Sequence, residues 1–288
     1  MLDITTLFCS VDDFWKTFKN DWYKKQIIHK PSRGPSCSIS MSEIMTIMIL
    51  FHQSNFRNFK HFYIFLLQER KKEFPKLPCY SRFVVLQKSA FVPLFAYLHN
   101  RKGKVTGISF IDSTVLKVCN VKRCYTNKVF KGLATKGKST MGWFFGFKLH
   151  LIVNEKGEIL SFQITPGNIS DLSPVESLSE GIWGKLFGDR GYISSSLFQT
   201  LFTKNLQLIT RIKSNMKNKL MNLYDKALLR KRAIIESIND QLKNISQIEH
   251  SRHRTPVNFL INLLSGLIAY SHQKKKPSLK MLKHPLVV

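Results

Sequence analysis

Residues 141–165, MGWFFGFKLHLIVNEKGEILSFQIT, have the pattern that decides the fold. In their first half, apolar residues such as Phe147 and Leu149 alternate with residues such as Lys148. This two-residue period is typical of a β-strand. The polar segment NEKG, residues 154–157, then interrupts the alternation, and a second apolar run follows it. The stretch therefore predicts a β-hairpin.

Further strand patterns lie on both sides of this hairpin. GISFIDSTVLKV, residues 107–118, predicts a buried strand before it, and KLFGD, residues 185–189, and QLITRI, residues 207–212, predict two strands after it. Helical patterns lie before and after KLFGD. Three strands followed by alternating helices and strands predict an α/β fold, a mixed sheet flanked by helices in the order found in RNase H-like nucleases.

The chain before residue 105 has a helical pattern instead. Ser40 and Glu43 have the spacing of a capping box at the start of an apolar helix. The basic segment RKGK, residues 101–104, is typical of a hinge. We therefore predict a helical N-terminal domain over residues 1–104.

The C-terminal third is also helical in pattern. A long helix is predicted over about residues 220–248, and a last one begins after Thr255 and Pro256. We place an α/β domain at residues 105–272 and a basic tail at residues 273–288.

Positive charge dominates the composition. The 288 residues include 45 Lys and Arg against 18 Asp and Glu, a formal net charge of +27. Such a chain attracts polyanions, nucleic acid first and an anionic membrane surface second, although a generally basic proteome would also explain the excess. Residues 107–200 carry the smallest basic excess, as expected for a centre that holds carboxylates.

The remaining composition favours a soluble cytoplasmic protein. The 5 cysteines are scattered and odd in number, which argues against a disulfide framework. The N-terminus has no signal-peptide pattern, and the apolar runs are too short to span a bilayer.

Three carboxylates have apolar settings that suggest chemistry. Asp112 lies inside a buried strand pattern, Asp189 ends a strand, and Glu236 lies among isoleucines on a basic helix. An ionised Asp in such a strand is costly unless it is paired or binds metal. Each residue alone also has an ordinary structural explanation: a turn cap, a strand-ending turn or a helical ion pair.

The combination of two strand-borne aspartates and one helical glutamate favours phosphodiester chemistry. Carboxylates are the ligands that Mg²⁺ prefers, and a pair of such ions about 4 Å apart activates water and stabilises the leaving oxygen. The same centre can use water for cleavage and a DNA 3′-hydroxyl for joining.

Four segments resemble the insertion-sequence transposases of the DDE type, most closely the bacterial group named after insertion sequence 982. The segments are FIDSTV (110–115), GFKLHLIVNEKGEILSFQITPGNISD (146–171), FGDRGY (187–192) and LLRKRAIIESINDQLK (228–243). The resemblance implies that Asp112, Asp189 and Glu236 are the catalytic residues. It also implies that they hold two Mg²⁺ ions, for which Mn²⁺ can substitute.

The resemblance includes a Tyr-Arg-Glu-Lys signature around the glutamate. It implies that Arg232 and Lys243 contact DNA phosphates, but Leu229 occupies the position of the tyrosine. Because of this departure, the sequence leaves open whether this copy of the transposase has an altered activity.

Further DNA contacts are expected next to the carboxylates. Arg190 directly follows Asp189. Lys148 and His150 share one strand face, which either meets DNA or faces solvent.

The sequence therefore predicts a transposase that cleaves and joins DNA at insertion-sequence ends with metal ions. Its expected partners are the terminal inverted repeats, the target DNA and further copies of the chain, without a membrane and in the bacterial cytoplasm. Two alternatives stay open: an RNase H-like nuclease or resolvase without strand transfer, and an inactive DNA-binding relative.

Overall fold

Helices and strands follow the predicted order except for one additional strand and one predicted helix that is divided in two. The structure is a computed structural model that describes residues 3–25, 38–212, 216, 220–249 and 253–279. Its helices are Ile4–Lys25 (α1), Met41–Gln53 (α2), Phe59–Glu69 (α3), Tyr80–Leu86 (α4), Phe91–Asn100 (α5), Val175–Leu178 (α6), Ser195–Thr203 (α7), Leu223–Arg230 (α8), Ala233–Asn244 (α9) and Pro256–Ser271 (α10). Its strands are Ile108–Cys119 (β1), Thr135–Ser139 (β2), Gly142–Asn154 (β3), Ile159–Pro166 (β4), Gly184–Gly188 (β5) and Leu206–Thr210 (β6).

Contacts divide the described residues into two units. The helical unit comprises those within 1–101 and 242–273, and the sheet unit those within 102–241 and 274–279. The prediction placed all of residues 105–272 in the α/β domain, whereas here residues 242–273 group with the N-terminal helices. The physical reason is α10, of whose 16 residues 11 are buried, and which packs against α2 and α5. Residues 280–288 of the predicted tail lie outside the described residues.

Two helix starts in the helical unit match their sequence signals. The Ser40 hydroxyl accepts a hydrogen bond from the Glu43 backbone N–H at 3.1 Å, and the Glu43 carboxylate accepts one from the Ser40 backbone N–H at 2.7 Å. At α10, the Thr255 hydroxyl accepts from the Asn258 backbone N–H at 3.3 Å, and Pro256 occupies the first turn. The capping box and the start of the last helix are thus confirmed.

The sheet unit contains one mixed six-stranded sheet. Its strand order is β2-β3-β1-β5-β6, and β4 also pairs with β3. The predicted hairpin is confirmed as β3 and β4, which pair antiparallel. β1 and β5 pair in parallel, as do β5 and β6. The sequence analysis did not identify β2, because its residues, TKGKS, are polar and lack the apolar alternation of a strand.

The predicted long helix is two helices. α8 ends at Arg230 and α9 begins at Ala233. Between them, Ile234 N–H bonds to the Lys231 carbonyl and Ile235 N–H to the Arg232 carbonyl, so the chain makes a tight turn before α9. This break determines where the Arg232 side chain lies. No helix among the described residues is both long and apolar enough to cross a membrane.

A glycine contact fixes the start of the parallel strands β1 and β5. Gly184 has a φ of +93°, and the neighbouring Lys185 N–H donates to the Gly107 carbonyl at 2.8 Å. A Cβ atom on Gly184 would lie 2.4 Å from that carbonyl oxygen. Only glycine satisfies both conditions, because L-residues are strained at this φ.

We expect Gly184→Ala to lower the free energy of unfolding by about 3 kcal/mol or more, from backbone strain and a steric clash together. Gly181→Ala is the matched control, since Gly181 has a φ of +74° but nothing within 4 Å of its Cβ position. It should lose only about 1 to 2 kcal/mol. Urea unfolding measures both; equal losses would contradict the proposed role of the Gly107 contact.

Candidate active site

Strand register brings two of the predicted carboxylates side by side. Phe110 of β1 and Phe187 of β5 are partners in the parallel pairing, and their rings stack with centroids 5.5 Å apart. Asp112 and Asp189 each follow two residues later. Because side chains alternate along extended backbone, both aspartates are on the face of the sheet that carries the two phenylalanines.

The Arg232 side chain contacts both Asp112 and Glu236. Its Nη1 lies 3.7 Å from Asp112 Oδ1, and its Nη2 donates to Glu236 Oε1 at 2.5 Å. The Arg232 side chain is only 14% exposed, so solvent screens this guanidinium weakly. Asp112 and Glu236 thus both lie next to the Arg232 guanidinium, although 124 positions separate them in the sequence.

Burial makes Asp112 an unusual carboxylate. Its side chain is 22% exposed, and burial raises its pKa to about 6, assisted by the negative charges of Glu236 and Asp189. The positive charge of Arg232 and the Ser113 backbone N–H act in the opposite direction but do not cancel the effect of burial. The surroundings of Asp112 therefore leave its negative charge incompletely compensated.

Asn239 is a site residue that the sequence analysis missed. Its Nδ2 donates to Asp112 Oδ2 at 3.1 Å, and its Oδ1 is buried without a hydrogen-bond partner. The residue lies one helical turn after Glu236 on α9. Its spacing from Glu236 was the available signal, because residues three apart on a helix share a face.

The carboxylates do not form a closed metal-binding group. Among the described residues, no set of three His, Cys, Asp or Glu side chains is placed to hold a metal ion. Asp189 and Glu236 are both exposed, and the Glu236 carboxylate is turned to Arg232. Asp112 and its hydrogen-bond partner Asn239 nevertheless offer oxygen atoms, and the unpartnered Asn239 Oδ1 could accept a cation or a cation-bound water. This donor set fits a hard divalent ion.

Comparison with known families identifies the domain that carries these residues. A family model described as "Transposase DDE domain" matches residues 102–256, which is more than half of the chain. The chain belongs to this transposase family. The matched range contains Asp112, Asp189, Arg232 and Glu236. No curated protein matches the sequence of the chain.

A solved transposase structure has a fold similar to that of this DDE-family chain. It is the piggyBac transposase in a synaptic complex with hairpin DNA, with a TM-score of 0.51, 9% identity, and coverage of 94% of this chain and 74% of that one. Another match is the Mos1 strand transfer complex, with 12% identity, coverage of 91% and 86%, and a TM-score of only 0.25. The piggyBac likeness confirms the predicted fold class, a mixed α/β sheet flanked by helices.

The basic residues expected to contact DNA from this DDE domain have different surroundings. Arg190 is exposed at the turn after β5. Lys243 pairs with Glu249 at 3.4 Å, and its side chain is 26% exposed. Lys148 donates to the Ile169 carbonyl and to Asp171 at 2.9 and 3.0 Å, and its side chain is only 13% exposed. Arg190 is therefore the most accessible of the three.

His150 does not face DNA or solvent. It is fully buried, and its Nε2 lies 2.8 Å from the Thr165 hydroxyl. Both predicted interpretations of its strand face are wrong for this residue, because β3 is covered on the side that carries His150. Leu229, at the position of the family tyrosine, is likewise buried, at 4% exposure on α8.

We expect His150 to make the DDE domain sensitive to acid. Burial lowers its pKa to about 4, with Lys148 adding to the effect and Asp171 opposing it. Because the folded pKa lies below the unfolded value of about 6.5, the stabilisation is complete above pH 6.5 and is lost as the pH falls through 4. The loss should reach about 3 kcal/mol in the free energy of unfolding.

Chemical denaturation of wild type and His150→Gln between pH 7 and pH 4 measures this effect. Subtracting the free energy of unfolding of His150→Gln from that of wild type at each pH cancels the contributions of all other titrating groups. The His150→Gln curve should be flatter over this range; parallel curves would show that His150 does not protonate on unfolding.

Proposed function

We propose that this chain is a DNA transposase that cleaves and joins strands at insertion-sequence ends with Asp112, Asp189 and Glu236. The observation that carries the proposal is the shared contact of Asp112 and Glu236 with Arg232, beside Asp189 on the adjacent strand. Three acidic residues that are distant in sequence are thereby neighbours on a strongly basic chain. Membership of the transposase DDE-domain family supports the same chemistry.

The three carboxylates would hold divalent ions, Mg²⁺ or Mn²⁺, two ions in our proposal. When bound, such ions supply an activated water or 3′-hydroxyl and stabilise the leaving oxygen. Asp112 is the central ligand because the charges of both other acids act on it and it is the most buried of the three. Asn239 orients its carboxylate through the bond to Oδ2.

Arg232 has a second role in this proposal. Without metal it compensates the charges of Asp112 and Glu236. Since cations on the carboxylates would compete with it, the guanidinium then becomes available to a DNA phosphate, which it can bind with two parallel hydrogen bonds.

DNA is the proposed partner of both units. The net charge of +27 favours phosphate binding, and the exposed Arg190 lies next to Asp189. We assign end recognition to the N-terminal helical part, residues 1–104, and propose that copies of the chain assemble on paired ends. We also place the chain in the group of insertion sequence 982, on the four segments that resemble it.

The second candidate is a DNA-binding relative without activity. The observation that favours it is Leu229, an apolar, buried side chain at the position of the family tyrosine. Such a protein would bind the ends with a steep salt dependence and would not cleave them.

We expect Asp112→Ala, Asp189→Ala and Glu236→Ala each to lower the cleavage rate at least about 1,000-fold, because each removes a ligand from the reacting centre. DNA binding should persist. The substrate is a labelled duplex with the inverted repeats that flank the reading frame, incubated with a target plasmid and Mg²⁺. Glu180→Ala, which removes an exposed acid of the same unit, is the matched control.

The products of this assay separate the candidates. Labelled DNA joined to the plasmid supports a transposase, and cleavage without joining identifies a nuclease. Binding without cleavage by wild type would identify the inactive relative. Near-normal activity of any one Ala variant would refute the three-residue assignment.

We expect Asp112→Asn to stabilise the metal-free protein at pH 7.5 by about 3 kcal/mol. The folded pKa of about 6 lies above the ordinary value of 3.8, so stabilisation by Asp112 is present below pH 3.8 and is lost as the pH rises through 6. Above pH 7 the ionised carboxylate of wild type lowers the free energy of unfolding. The stabilisation of Asp112→Asn relative to wild type should therefore vanish near pH 4.

Without metal, Asp112→Asn should be more stable than wild type; with magnesium, wild type should be the more stable of the two. In thermal denaturation, Mg²⁺ should raise the melting temperature of wild type, because it binds only the folded protein, and should leave Asp112→Asn almost unchanged. Equal shifts in both proteins would place the metal elsewhere.

A further inference from the structure

The helical unit contains a cavity of about 910 Å³ among α2, α3, α4 and α10. Its described lining includes the basic side chains of Arg57, Lys60 and Arg254, and no acidic one. The three cations are exposed. An anionic ligand therefore meets attraction and no repulsion from the described residues around this cavity.

Polar atoms without partners lie in the wall of this cavity. Gln87 and Asn262 are only 6% and 4% exposed, yet Gln87 Oε1 and Asn262 Nδ2 have no hydrogen-bond partner. Asn258 Oδ1 is a third such atom in the same wall. Buried polar atoms are almost always paired, and an unpaired one destabilises a protein. Three in one cavity indicate that a ligand completes their hydrogen bonds.

The chemistry of the wall indicates which ligand. Two acceptors and one donor match the mixed donor and acceptor edge of a nucleobase. Phe59 and Tyr80, whose ring centroids lie 6.3 Å apart, supply aromatic surface next to these amides. Such surface favours the flat face of a base. The volume lies in the range of pockets that enclose a small organic ligand, about 300 to 1,000 Å³.

We propose that this cavity binds one unstacked nucleotide of a DNA strand, its base against Gln87, Asn258 and Asn262 and its phosphates against the three cations. The inference rests on the proposed function only in that DNA is the partner; none of its residues belongs to the carboxylate site. A strand is favoured over a free nucleotide because the three exposed cations can contact phosphates on both sides of the inserted base.

Binding of two duplexes tests the proposal. One is fully paired, and the other carries a single extrahelical 2-aminopurine; both are end-labelled for fluorescence anisotropy. Wild type should bind the bulged duplex at least about tenfold more tightly, because the cavity accepts a base that is already unstacked. The 2-aminopurine emission should change on binding.

Gln87→Leu and Asn262→Leu are the test variants. Each removes an unpaired polar group with little change of volume, so each should lose the preference for the bulge and also melt at a higher temperature than wild type. The gain in melting temperature separates loss of binding from misfolding. Ser265→Ala is the matched control: its hydroxyl is fully buried and unpaired on the same helix but does not line the cavity. It should keep the preference.

Two results would overturn the proposal: an unchanged preference in both Leu variants, or competition by free deoxyadenosine monophosphate as effective as that by the bulged strand. The same measurements distinguish failure of the proposed function from failure of the cavity assignment. If wild type binds neither duplex, both proposals fail. If wild type binds and cleaves paired DNA without preferring the bulge, only the cavity assignment fails.

Discussion

The uncompensated negative charge of Asp112 is the constraint on which the site depends. A carboxylate on a central strand, four-fifths buried, can remain ionised only if cations lie close to it. In the described structure Arg232 supplies part of that compensation and Asn239 one hydrogen bond. The pKa of about 6 shows that these partners are insufficient. The fold thus holds a carboxylate that is stabilised by any further positive charge, which the proposed metal ions would supply.

The parts that could be predicted are those with local patterns. The hairpin of β3 and β4, the capping box at Ser40 and the start of α10 all follow from short-range rules of alternation and capping. Asp112 and Asp189 could each be placed from local patterns, the first inside a strand and the second at the end of one. Parallel pairing then makes them neighbours.

The parts that could not be predicted depend on contacts between distant segments. Alternation in β3 shows that successive side chains face opposite sides of the sheet. It does not show that the side carrying His150 is covered, which follows only from the central position of the strand, where both sides are buried. The position of the Arg232 guanidinium follows from a two-residue break that a helical period does not reveal. α10 has the pattern of any buried helix, and its pattern does not say which unit it joins.

The hydrogen bond between Asn239 and Asp112 joins residues 127 positions apart. During synthesis from the N-terminus, β1 and the hairpin of β3 and β4 are made well before α9. A nascent chain, or a copy truncated by a stop codon between Asp189 and Arg232, has both aspartates but lacks the arginine and the glutamate. Under the proposed function, an incomplete translation product could not assemble the three-residue centre, since the last part of that centre is made only when most of the polypeptide exists.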